Sequence, residues 1–172
     1  AYEKALAYAE QVGLKKKTQK IRHTLINLRL KQTLAWAKKA EEGKEWRQAA
    51  ETYRRALELS SSLSSPKDKK DIAKRLAAAA FHNELDQSKT AFTSSEWQKT
   101  IEMLKRAEKI LAENPKAASV TEKRELHKLL VNSRLYLILA TAKKAYDTGK
   151  WTIALNEYHK AIDLLEHHTD II

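Results

Sequence analysis
The chain of 172 residues contains no cysteine and only 3 glycines and 2 prolines. Without cysteine there can be no disulfide framework, thiolate metal site or Cys/His catalytic pair. The redox compartment is left open, so cytoplasm and periplasm fit equally. Three glycines offer little from which to build a phosphate-cradling loop or a strained nucleophile turn, and no motif of either kind is present. No uninterrupted apolar run approaches the roughly 20 residues that a membrane-crossing helix needs. A hydrophobic fraction of 42% against 32% charged residues is too apolar for a disordered chain, so a folded, soluble domain is expected. The first residue is Ala1 rather than Met, and residues 2–10 read as helix rather than as a signal peptide. The chain is therefore expected to be part of something longer.

What is present is helix-forming: Ala, Leu, Lys, Glu and Arg dominate, which predicts an all-α fold. Lys and Arg number 33 against 22 Asp and Glu, a formal net charge of +11. The excess is concentrated early, at Lys15, Lys16, Lys17, Lys20, Arg22, Arg29 and Lys31. A basic field of this kind favours acidic partners.

Self-comparison finds one motif four times: Tyr2-Glu3-Lys4-Ala5-Leu6, Tyr53-Arg54-Arg55-Ala56-Leu57, Leu104-Lys105-Arg106-Ala107-Glu108 and Tyr158-His159-Lys160-Ala161-Ile162. The starts at 2, 53, 104 and 158 are separated by 51, 51 and 54 residues. Trp46, Trp97 and Trp151 each lie seven residues before a copy, with Gly43, Ser94-Ser95 and Gly149 just upstream, as expected where one helix stops and another restarts. The same register aligns Ile21, Ile72 and Leu126; Leu25, Leu76 and Leu130; Leu34, Leu85 and Leu139; and Ala40, Ala91 and Ala145. Steps of four and seven mark a buried helical face.

Each unit thus reads as a long helix followed by a shorter one: about 16–42 with 45–61, 68–93 with 95–113, and 119–148 with 150–168. Residues 1–12 read as the second helix of a truncated repeat. The complete repeats, 16–62, 67–114 and 118–169, form one domain over 1–172. Ser60 to Ser62, Ser64-Ser65-Pro66 and Asn114-Pro115 supply the breaks between units.

Gly149, Trp151, Ala154, Tyr158 and Ala161 resemble the second half of a tetratricopeptide repeat. Trp46, Ala49, Tyr53 and Ala56 follow with Gly43 displaced by one residue, and Trp97, Leu104 and Ala107 follow with Thr100 in a small-residue place. The familiar repeat is about 34 residues long, so the likeness is to a tetratricopeptide-like array with extended first helices. It implies a right-handed α-solenoid of antiparallel helix pairs, about seven helices in all, that binds a protein or peptide along a surface lined by the first helices. Carried over by register, that surface holds the column Lys38, Lys89 and Lys143, preceded by Lys31, His82 and Tyr136 and followed by Glu41, Phe92 and Tyr146. A ladder of ammonium groups would capture an extended acidic segment; the plainer reading is that these lysines solvate their helices.

The tryptophans at the second-helix starts read as wedges in the turn rather than as recognition residues. His159, Asp163 and His167 lie four apart along one helix face with His168 adjacent, but a solvent-exposed helix end is favoured over a metal site there. Carboxylate pairs such as Glu41-Glu42 look like surface charges. The expectation is a non-enzymatic interaction scaffold with no catalytic residue, metal or cofactor. The alternative is a basic module for nucleic acid or an anionic surface, ranked lower because aromatics are not interleaved with the basic residues. Self-association is also expected, through Tyr2, Ala5, Leu6 and Tyr8 at one end and Ile171 and Ile172 at the other.

Overall fold
The computed structural model describes residues 2–12, 15–63 and 66–168; of Tyr2, Glu10, Pro66 and Lys67 it describes only the backbone. Ile171, Ile172 and the side chain of Tyr2, expected to form sticky ends, lie outside the described residues. Seven helices and no strand occur among the described residues: α1 (Tyr2–Gln11), α2 (Lys15–Glu42), α3 (Trp46–Ser61), α4 (Pro66–Thr93), α5 (Trp97–Glu113), α6 (Val120–Asp147) and α7 (Trp151–Glu166). Every boundary falls within two residues of the expected one. The long helices α2, α4 and α6 each have 28 residues, about 42 Å at 1.5 Å per residue.

The chain divides into two compact units, residues 1–80 and 81–172. In the first, α2 packs against both α1 and α3. Its core draws Leu30, Ala37 and Ala40 from α2, Ala49, Ala50, Tyr53 and Ala56 from α3, and Ile72 and Ala79 from α4. Alanines line the contact between α2 and α3, and their small side chains let the two backbones approach closely. In the second unit α6 packs against α5 and α7. Phe81, Leu85, Ile101, Leu104, Leu126, Leu130 and Val131 are buried there, with Ala142, Ala145, Ala154 and Ala161 serving the α6–α7 pair. Ser88, Thr100 and Ser133 are fully buried. Each hydroxyl donates to a carbonyl of the preceding turn, at 2.6–3.0 Å, so burial leaves no polar group unpaired.

One turn recurs three times. After α2, the Lys44 N–H donates to the Glu41 carbonyl and the Glu45 N–H to the Ala40 carbonyl. Ser95 with Phe92 and Glu96 with Ala91 repeat this after α4, and Gly149 with Tyr146 and Lys150 with Ala145 after α6. Paired bonds of this span form a Schellman cap, whose penultimate residue must take a left-handed conformation. That residue is Lys44 (φ 56°), Ser95 (φ 59°) or Gly149 (φ 70°). Gly43 therefore sits one residue before the position where glycine is favoured, and Lys44 carries the strain instead. The Ala40, Ala91 and Ala145 carbonyls that anchor the turn are one column of the 51- and 54-residue register. The linkers differ from one another: Pro66 opens α4, whereas Ser119 caps α6 in a reciprocal capping box with Glu122.

Lys44→Gly and Ser95→Gly are each expected to stabilise the fold by about 0.5–1 kcal/mol, and Gly149→Ala to destabilise it by about 1 kcal/mol. Gly43→Ala should be close to neutral, because an added Cβ meets nothing nearer than the Lys39 carbonyl oxygen at 3.4 Å. Urea unfolding of the four variants checks the signs.

Candidate functional site: a groove between α2 and α4
In the first unit a groove of about 420 Å³ is lined by Asn27, Leu30, Lys31, Leu34 and Lys38 of α2, Tyr53 of α3, and Asp68, Asp71, Ile72 and Arg75 of α4. Leu30, Leu34 and Ile72 supply apolar lining, while α2 contributes two cations and α4 two carboxylates together with the cation Arg75. Lys31 and Lys38 stand on the α2 side, Asp68 and Asp71 on the α4 side. Lys31 and Asp68 have no ion-pair partner among the described residues. Lys38 reaches Glu42 on its own helix at 3.5 Å, and Asp71 reaches Lys74 on its own helix at 3.8 Å. Those two pairs are largely exposed and contribute little to stability.

Behind these charges lies a linked polar trio. The Tyr53 ring is 1% exposed, and a buried phenol needs an acceptor. Its hydroxyl donates to Glu41 Oε2, which also accepts from Arg75 Nη1 at 3.0 Å. Burial, reinforced by the hydrogen bond to Glu41, pushes the Tyr53 hydroxyl up to about 12. The Arg75 guanidinium is also raised, first by its hydrogen-bonding interaction with Tyr53 and against the effect of burial. The repeat register pairs Glu41 with Phe92, Tyr53 with Leu104 and Arg75 with Leu129, so the matching positions of the second unit are apolar.

The second unit also treats the groove charges differently. Lys31 and Lys38 correspond to His82 and Lys89, and Asp68 and Asp71 to Glu122 and Glu125. There the charges cross between helices: His82 Nε2 lies 2.6 Å from Glu122 Oε1, and Lys89 Nζ lies 2.8 Å from Glu125 Oε1. Burial alone would raise the Glu122 carboxyl, but the Ser119 hydroxyl and amide together with His82 outweigh it and hold it below its ordinary value.

The expected binding residues therefore separate into four sets. Lys31 and Lys38 line the groove, whereas Lys89 and His82 are held in bridges across α4 and α6. Phe92 and Tyr136 belong to an aromatic cluster, with Trp97 stacked on Tyr136 at 4.8 Å and edge-on to Phe92 at 5.1 Å. Lys143 is exposed without an ion-pair partner among the described residues, and Tyr146 is exposed with Trp151 edge-on at 5.1 Å. Trp97 is the wedge expected of it, but Trp151 is 61% exposed, its neighbouring ring being Tyr146 alone among the aromatic pairs described. Asn27, Asp68, Asp71, Arg75 and the hydroxyl of Tyr53 were not expected at the site. The signal for the two aspartates was their alignment with Glu122 and Glu125. At the end of α7, His167 Nδ1 lies 2.6 Å from the Asp163 carbonyl oxygen and His168 packs edge-on to His127 at 5.5 Å. No group of three metal-ligating side chains forms among the described residues.

Tyr53→Phe removes one hydrogen bond to Glu41 and is expected to cost about 1 kcal/mol near neutral pH. Because the folded-state value lies above the ordinary 10.0, the contribution of Tyr53 is complete below pH 10 and is lost as pH rises toward about 12. Urea unfolding at pH 9 and pH 11 should show a steeper loss for the wild type than for Tyr53→Phe. In comparisons with known proteins, no family model, curated protein or solved structure matches this chain.

Proposed function
We propose that this chain is a non-enzymatic, tetratricopeptide-like interaction module that holds an extended segment of a protein partner in the α2–α4 groove. The observation that carries the reading is that Lys31 and Lys38 stay unbridged to Asp68 and Asp71 over an apolar floor, the α2–α4 crossing being made by Arg75 and Glu41 instead, where the equivalent residues of α4 and α6 are bridged. Recurrence of the same capped turn on the 51- and 54-residue register supports the family likeness. Lys31 and Lys38 are the cations available to a ligand at this groove, whereas Lys89 is committed to Glu125. The exposed lysines 15, 16, 17 and 20 at the start of α2 would speed the encounter with an acidic partner.

An array of immobilised peptides about eight residues long, run beside DNA, RNA and anionic vesicles at two salt concentrations, tests this reading. Peptide binding at about 0.15 M salt is expected, weakened tenfold or more by Lys31→Ala with Lys38→Ala, a change of about 1.4 kcal/mol, and much less by Lys89→Ala. Strong salt-dependent retention of nucleic acid or vesicles without peptide binding would instead establish the basic-surface alternative.

A second reading, self-association, is favoured by α7. Trp151, Leu155, Tyr158, Ile162 and Leu165 recur at alternating steps of four and three and are 36–61% exposed. This heptad-like stripe is complementary to a second copy of itself. The matching Ala50 and Tyr53 of α3, and Ile101 and Leu104 of α5, are buried. At the other end α1 is better satisfied: Ala9 is buried and Glu3 pairs with Arg29 at 2.7 Å, although Tyr8 stays exposed. Sedimentation over a hundredfold concentration range is expected to show a dimer that Leu155→Glu with Ile162→Glu converts to monomer. A wild type monomeric throughout refutes the self-association.

A further inference from the structure
We infer that the α2–α4 groove selects a dipolar segment, an extended peptide with alternating acidic and basic side chains, and that Asp68 and Asp71 set this selectivity. The inference rests on the groove being the binding site and names the chemistry of what it takes.

Two grooves of the same repeat provide the comparison. Between α4 and α6, Glu122 and Glu125 reach across to His82 and Lys89 and complete both bridges. Between α2 and α4 the cationic wall is kept as Lys31 and Lys38, but the facing residues are Asp68 and Asp71, one methylene shorter. Shorter carboxylates leave the bridges unmade. Asp71 is satisfied only loosely by Lys74 of its own helix, and Asp68 has no ion-pair partner among the described residues. With Arg75 paired to Glu41, two remaining positive groups face two negative groups across an apolar floor.

An extended backbone sends successive side chains to opposite sides. A segment lying along this groove directs one set toward Lys31 and Lys38 and the alternate set toward Asp68 and Asp71. Carboxylates satisfy the first wall and ammonium or guanidinium groups the second. A uniformly acidic segment would press every other carboxylate against the two aspartates, and a uniformly basic one would meet the lysines. Alternation satisfies all four groups, as the crossing bridges do in the second unit. Lys31 and Lys38 are about 10.5 Å apart along α2, and side chains on one side of an extended segment recur about every 6.6 Å, so the long lysine side chains reach same-side groups two to four residues apart and the contacted stretch is about four to five residues.

Fluorescence anisotropy at about 0.15 M salt, with three labelled octapeptides of alternating Glu-Lys, Glu-Ser and Ser-Lys, tests the inference. The Glu-Lys peptide is expected to bind at least tenfold more tightly than either of the others, although it carries no net charge to attract a basic protein. Asp68→Asn with Asp71→Asn should shift the preference to Glu-Ser. Asp68→Glu with Asp71→Glu should close the groove and abolish binding of all three, with helical circular dichroism retained and the thermal midpoint unchanged or raised. Equal or tighter binding of Glu-Ser by the wild type overturns the dipolar inference and leaves the peptide-binding reading standing. Wild-type affinity in the Asp68→Glu, Asp71→Glu protein overturns the role given to aspartate length. Binding of none of the three overturns the inference, and the peptide-binding reading falls with it only if the broader array also shows no binding.

Discussion
The arrangement depends on how closely each long helix and the short helix after it can approach. A reversal of direction in three residues leaves no room for bulky side chains beside the turn. The columns there are accordingly small: Ala37, Ser88 and Ala142, and Ala40, Ala91 and Ala145, all at most 6% exposed. Ala49, Thr100 and Ala154 answer them from the second helices. A larger residue would push the helices apart and break the paired bonds of the cap. The strain accepted at Lys44 and Ser95 is tolerable because the surrounding close packing fixes the turn regardless of which residue occupies it.

Given that scaffold, the long helices have charge to spare. Each needs apolar residues to meet its neighbours, and polar residues fill what remains between successive long helices. The second unit uses that strip structurally, crossing it with two ion pairs and replacing the polar trio by Phe92, Leu104 and Leu129. The first unit leaves Lys31 and Lys38 unbridged to Asp68 and Asp71 and crosses the helices instead through Arg75 and Glu41, beside a buried tyrosine. Leaving Lys31, Lys38, Asp68 and Asp71 unbridged across the groove forgoes favourable contacts at modest cost while they remain hydrated. It leaves groups free to take partners on another molecule, which is why the proposed interaction role rests on the groove and not on overall basicity.

Most of the helical organisation was legible in the residues. The aromatic, small-residue and turn positions recur at near-constant spacing, and short-range rules place helix starts and stops. The site was legible only in part. Lys31 and Lys38 are visible as members of a column, but so are His82, Lys89, Phe92 and Tyr136, which the structure spends on bridges and ring packing. Register says that side chains occupy equivalent places; it does not say whether each has a partner. That depends on distances between helices far apart in the chain.

By itself the sequence determined the seven helices, the repeat interval and the small-residue seams, since periodicity and capping act over a few residues of chain. Only the tertiary structure decided which charges meet. It left Lys31 and Lys38 unbridged to Asp68 and Asp71 while joining His82 and Lys89 to Glu122 and Glu125, hid Tyr53 beside Glu41, and left the apolar stripe of α7 exposed. Those outcomes depend on distances between residues far apart in the chain, which a one-dimensional pattern does not contain.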